Sequence, residues 1–168
     1  MTMLYDGWLK IREARHQGRR FEILEDKEAA GALVLDQEGK ILLVRQHRVP
    51  LGRDSLEIPA GCLDKDGLTP AEVMAEELEE EAHLTVPAEE LKELLTILPS
   101  IGVSKSRYIL YAWRYPALGE NKDITGDDDV TERLWLSPED FGKRIREGEI
   151  MDAKSVLAYY YLLAHPEL

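Results

Sequence analysis

Cysteine is almost missing from this chain: Cys62 stands alone, so no intramolecular disulfide can staple it. No apolar run is long enough to span a bilayer as a helix, and the first residues lack the basic-then-apolar layout of a secretory leader. A cytoplasmic protein with no membrane partner is the expectation. Basic charge is scarce as well. The 33 Asp and Glu outnumber the 21 Lys and Arg, and a formal net charge of −12 disfavours nucleic acid and anionic lipid as partners. A phosphate-bearing ligand would need a bridging cation. Repeats, low-complexity tracts and linker-like stretches are missing too, so residues 1–168 read as one domain. Its 44% hydrophobic content suffices for a single core.

Against those absences, the strand signals are plain. Tyr5 to His16 reads as a strand that turns at Gln17-Gly18 and returns through Arg20 to Leu24, an N-terminal hairpin within residues 1–28. Ala29 to Leu35 and Ile41 to Val44 are short apolar runs joined by Asp36-Gln37-Glu38-Gly39, as buried strands would be. Leu91 to Leu98, Arg107 to Tyr115 and Val130 to Leu136 continue the series. Ser137-Pro138 opens one C-terminal helix that ends near Gly148, and Asp152 to His165 forms another.

The chain is organised around Gly61 to Val86, GCLDKDGLTPAEVMAEELEEEAHLTV. Thr69 is a helix N-cap, Pro70 fits the first helical position, and Glu72 completes a capping box. Val73, Met74, Leu78 and Ala82 recur at helical spacing, which leaves Glu76, Glu77, Glu79, Glu80 and Glu81 on the remaining surface. Two carboxylates about 5 Å apart repel by roughly 3 kcal/mol at an effective dielectric of about 20. A divalent cation reverses that sign. Glu77 with Glu80, and Glu77 with Glu81, are spaced to converge on one oxygen-seeking ion such as Mg2+ or Mn2+; the alternative is a solvated acidic face.

This stretch resembles a Nudix box, Gly-x5-Glu-x7-Arg-Glu-U-x-Glu-Glu-x-Gly-U with U aliphatic. Gly61, Glu77, Leu78, Glu80, Glu81 and Leu84 match it, with one extra residue in the loop. Leu68, Glu76 and His83 replace its first Glu, its Arg and its second Gly. The segments Arg45-Gln46-His47-Arg48 and Leu56-Glu57-Ile58-Pro59-Ala60-Gly61 are similar to those of the ADP-ribose pyrophosphatase branch.

The resemblance implies an α/β fold, a Nudix-type α/β/α sandwich around a mixed sheet, with the N-terminal hairpin at the two-fold axis of a homodimer. It implies Mg2+- or Mn2+-dependent hydrolysis of a nucleoside diphosphate linked to another moiety, ADP-ribose or a related nucleotide sugar, as small-molecule substrate. By the same resemblance the Ala60 carbonyl, Glu77, Glu80 and Glu81 hold metal, Arg48 clamps the diphosphate, and Glu57 lies at the edge of the site. Glu80, Asp127, Asp128 and Glu132 are the carboxylates available to activate water, and the choice among them stays open. The three off-pattern positions leave a second reading, a Nudix-fold protein that binds nucleotide without hydrolysing it.

Overall fold

The computed structural model describes residues 1–124 and 130–168. Its first unit is a three-stranded antiparallel sheet, β1 (Thr2–Asp6), β2 (Lys10–His16) and β3 (Arg19–Glu25). The expected hairpin is β2 with β3. Its first strand, however, is broken in two: the Gly7 N–H donates to the Leu9 carbonyl at 3.1 Å, and the chain doubles back there as β1. Gly7 suits this turn because a Cβ would fall 2.4 Å from the Tyr5 hydroxyl.

An eight-stranded mixed sheet forms the body. Along it run β10 (Lys122–Asp123), β11 (Val130–Leu136), β5 (Ile41–Arg48), β4 (Ala29–Leu35), β9 (Tyr108–Arg114) and β8 (Lys92–Ile97), with β6 (Arg53–Glu57) on β5 and β7 (Ala60–Cys62) on β4. β4 and β9 are parallel and the other pairings antiparallel. Side chains alternate across the sheet as the strand period requires. Ala30, Ala32 and Val34 meet Met74, Leu78 and Ala82 of α1 (Pro70–Ala82) on one face. Leu33 and Leu35 meet Phe141 of α2 (Pro138–Arg146) and Ala158 and Tyr159 of α3 (Ala153–Ala164) on the other. This is the α/β/α sandwich around a mixed sheet that the resemblance implies.

The sheet has one feature that positions chemistry. β4 and β5 pair at Leu35 with Ile41 and then diverge, so that each takes a separate short partner, β7 and β6. Ile58-Pro59 crosses between those two strands. The Pro59 carbonyl accepts from the Ala32 N–H at 3.0 Å, and the Ile58 N–H donates to Ser155 Oγ of α3 at 2.9 Å. The Ile58 N–H and the Pro59 carbonyl are thereby satisfied in a buried setting. The crossing delivers Glu57 on one side and Ala60-Gly61 on the other.

Candidate functional site

Helix α1 starts as its sequence predicts. The Thr69 side chain accepts from the Glu72 N–H, and the Glu72 carboxylate accepts from the Thr69 N–H at 2.7 Å, a complete capping box. It ends at His83, which adopts a left-handed conformation with φ 53° and ψ 44°. Histidine therefore occupies the backbone state that glycine fills in the pattern, at the modest cost such a residue bears there. Loss of the glycine leaves the helix stop intact.

Glu77 faces the Gly61 backbone. A Cβ on Gly61 would fall 2.1 Å from the Glu77 carboxyl carbon, so the glycine is required for space. Only 15% of the Glu77 side chain is exposed. Burial raises its pKa first; the Lys65 charge opposes this, and Glu80 and Asp64 add to the rise, leaving the net value above the ordinary one. Glu81 is buried on the same helix, and its Oε2 accepts from the Ala60 N–H at 3.0 Å. Helix and crossing are thus joined at both Ala60 and Gly61.

Lys65, which sequence reasoning did not single out, gathers the acidic face. Its Nζ lies 2.9 Å from Glu76, 3.0 Å from Glu80 and 3.7 Å from Glu77. The hydrogen bond to Glu76 is the leading cause of a raised lysine pKa. The off-pattern Glu76 is therefore braced against the loop by a lysine, in the opposite polarity to the Glu and Arg of the box. A signal was present: Lys65 is the one Lys or Arg between Gly61 and Val86.

Three carboxylates thus share one cation, and their oxygens are of the hard type that Mg2+ or Mn2+ takes. Among the described residues no three His, Cys, Asp or Glu side chains are already drawn close enough to hold an ion. By the chemistry of its donors, an all-carboxylate set of this kind suits a divalent cation.

On the other side of the crossing, Glu57 is nearly inaccessible, with 4% of its side chain exposed. Arg48 Nε and Nη2 donate to its two oxygens at 2.7 and 2.6 Å, and Lys154 Nζ lies 3.4 Å away. Burial raises the carboxyl's pKa, but the Arg48 hydrogen bonds and the Lys154 and Arg48 charges outweigh it and the net shift is downward. Arg48 is shifted further up, chiefly by the bond to Glu57. Asp152 caps α3 through the Ser155 N–H at 2.9 Å and also holds Lys154. Lys154, 97 residues from Glu57, was invisible in the sequence. It also lines a groove of about 280 Å3 with Lys27, Ser100 and Tyr108, whose buried hydroxyl has no hydrogen-bond partner among the described residues.

The remaining candidates are scattered. Glu132 accepts from Arg45 Nε at 2.7 Å in a cross-strand pair between β11 and β5. Asp127 and Asp128 lie outside the described residues. Cys62 is half-buried, and burial first, then Asp64 and Glu77, pushes its thiol pKa up, which suits a filler better than a nucleophile.

Comparison with known proteins places this geometry. The family model described as NUDIX domain matches residues 26–158. The chain is 33% identical over 141 residues to "ADP-ribose pyrophosphatase" of Bacillus subtilis (strain 168), a match covering 84% of this chain and 75% of that protein. It is 31% identical over 146 residues to "Methanol dehydrogenase activator" of Bacillus methanolicus, covering 87% and 77%. A third relative, "ADP-ribose pyrophosphatase" of Mycobacterium tuberculosis (strain ATCC 25618 / H37Rv), is 28% identical over 135 residues, covering 80% and 64%.

Proposed function

The chain belongs to the NUDIX domain family, and from that membership we propose that its Nudix-type hydrolysis acts on a nucleoside diphosphate linked to another moiety. ADP-ribose or a related nucleotide sugar is the substrate, and a nucleoside monophosphate and a sugar phosphate are the products. One observation carries the reading: Glu76, Glu77 and Glu80 converge on a single cation beside the Gly61 backbone, across the Pro59 crossing from the Arg48 and Lys154 cluster. The names of two relatives point to the same substrate class.

In this reading Glu77, Glu80, Glu81 and the Ala60 carbonyl hold Mg2+ or Mn2+. A bound ion of this kind offsets charge on a diphosphate and acidifies a coordinated water. The chain's own groups do the rest. Gly61 admits the Glu77 carboxylate, and the Ala60 N–H orients Glu81. Glu57 fixes the Arg48 fork, whose side chain remains 36% exposed, so a charged donor is presented without first having to be ordered. Glu80 or a carboxylate of the Asp127, Asp128 and Glu132 group takes the proton of the attacking water.

The test is a panel of nucleotide sugars and dinucleotides, with Mg2+ or Mn2+ and an EDTA control, on wild type and Glu77→Gln. Metal-dependent release of a nucleoside monophosphate that the variant loses is the expected result. Turnover unchanged in Glu77→Gln overturns the assignment. Silence across the panel, with nucleotide still raising Tm, supports the second reading, a nucleotide-binding regulator. Lys65 standing across the carboxylates and the name of the Bacillus methanolicus relative favour that reading.

We also propose a homodimer formed through the N-terminal sheet. Tyr5, Trp8 and Phe21 are exposed there at 57%, 75% and 45%. Phe21 and Ile23 line an apolar groove with Ile101 and Val103. Large aromatic side chains left in water, Tyr5 and Phe21 on the strands and Trp8 in the bend between β1 and β2, are what an isologous contact would cover. Light scattering should give twice the 19.1 kDa chain mass, and Trp8→Glu with Phe21→Glu should halve it.

A further inference from the structure

Glu76, Glu77 and Glu80 would repel one another across one turn of α1 if left alone. Among the described residues, Lys65 is the one cation within ion-pair distance of any of them. It reaches them from the turn between β7 and α1, where Asp64, Asp66, Gly67 and Leu68 are exposed, and its own side chain is 30% exposed. The turn has a left-handed Gly67, φ 85°, with open space around it. A segment with so little buried surface can shift at small cost. The lysine is thus a counter-ion on a short tether, held at an effective concentration in the millimolar range.

An ammonium is monovalent, compact and carried on a flexible stem. A divalent ion carries twice the charge and needs the same carboxylate oxygens as ligands. Glu77 and Glu80 cannot serve both in full. We propose that Lys65 is a built-in competitor for divalent metal, which an ion displaces from Glu77 and Glu80 as it binds. Lys65 keeps the acidic face folded without metal and sets the affinity for metal low. The inference rests on the reading of this face as the metal centre.

Two consequences separate this role from simple bracing. Removing the charge of Lys65 tightens metal binding, whereas a brace that merely ordered the ligands would loosen it when lost. Stability moves the other way: without metal the repulsion is exposed, and with metal it is removed.

The experiment measures Mn2+ alone, without substrate, from the signal of free Mn2+ in electron paramagnetic resonance, on wild type, Lys65→Met, Lys65→Gln, Lys65→Arg and Glu77→Gln. Tm is recorded in EDTA and in Mn2+. Lys65→Gln keeps polarity and a soluble surface should Lys65→Met fold poorly. The expected result is about tenfold tighter Mn2+ binding in the Met and Gln variants, the loss of three ion-pair contacts, with wild-type affinity restored in Lys65→Arg. Their Tm should fall in EDTA and rise more than that of wild type on adding Mn2+. Unchanged or weaker Mn2+ binding in Lys65→Met and Lys65→Gln, with Glu77→Gln still abolishing it, overturns the competitor and leaves the hydrolase reading standing. Mn2+ binding that Glu77→Gln does not alter, or none in any variant, overturns both.

Discussion

Glu57 and Glu77 flank the same crossing, both are largely shielded from water, and their acidities move in opposite directions. Burial raises both, yet only Glu77 ends above the ordinary glutamate value. The difference lies in how the positive charge is supplied. Glu57 receives two Arg48 hydrogen bonds at 2.6 and 2.7 Å with Lys154 beside them. Glu77 has a lysine at 3.7 Å that is closer to two other carboxylates, and Glu80 and Asp64 add to its load. One carboxylate is satisfied and the other under-neutralised. The satisfied one can hold an arginine in place; the under-neutralised one is disposed to accept a further cation. Pairs of carboxylates driven apart by their surroundings are how one site divides its roles.

The strongest way to break this comparison is at Glu77. Glu77→Gln removes the proposed metal ligand and should lower turnover by about 10³-fold, the scale of several kcal/mol of transition-state charge stabilisation. Its Tm in EDTA should hold or rise, because the charge being removed is one the fold disfavours. A Tm fall comparable with that of Glu57→Gln would erase the distinction between the two residues. Next in size is Gly61→Ala, whose methyl group must displace the Glu77 carboxylate it would meet at 2.1 Å. A shift of about 1 Å in a catalytic group can cost roughly 10²-fold. The effect should fall on kcat with metal saturating; a loss confined to KM would place Glu77 in substrate binding instead.

How much of this was legible in the sequence follows the range of each interaction. The α1 capping box and the inward stripe of Met74, Leu78 and Ala82 are decided within a turn or two of the residue concerned, and both were readable. The strands of the sandwich were readable too, since Leu33 and Val34 need only a buried face. What escaped was set by pairing across the fold. β6 and β7 are five and three residues long and exist because β4 and β5 diverge. Lys154 meets Glu57 from the far end of the chain, and Lys65 reaches α1 from a turn with no periodic signal. The break of the first strand at Gly7 was hidden by a run of apolar residues, Trp8 and Leu9, that looks continuous with Ile11. Resemblance supplied the pattern of acids but not the lysine, since the pattern has an acid and an arginine where this chain has Leu68 and Glu76.

The finest test of the comparison is its pH dependence, and it belongs to Glu57. Its folded pKa lies below the ordinary value of about 4.5. Its contribution to stability is therefore complete above that value and is lost as pH falls through the lower, folded one. Glu57→Gln should cost about 2 kcal/mol at pH 7, less than a fully buried broken pair because Arg48 and Lys154 can still reach water. That corresponds to roughly 4–8 °C in Tm for a chain of this size. The gap between wild type and variant, measured in EDTA by thermal unfolding, should stay constant from pH 7 to about pH 5 and close only below about 4.5. A gap that widens as pH falls from 7 to 5 would mean that burial outweighs Arg48 and Lys154, and that Glu57 resembles Glu77 after all.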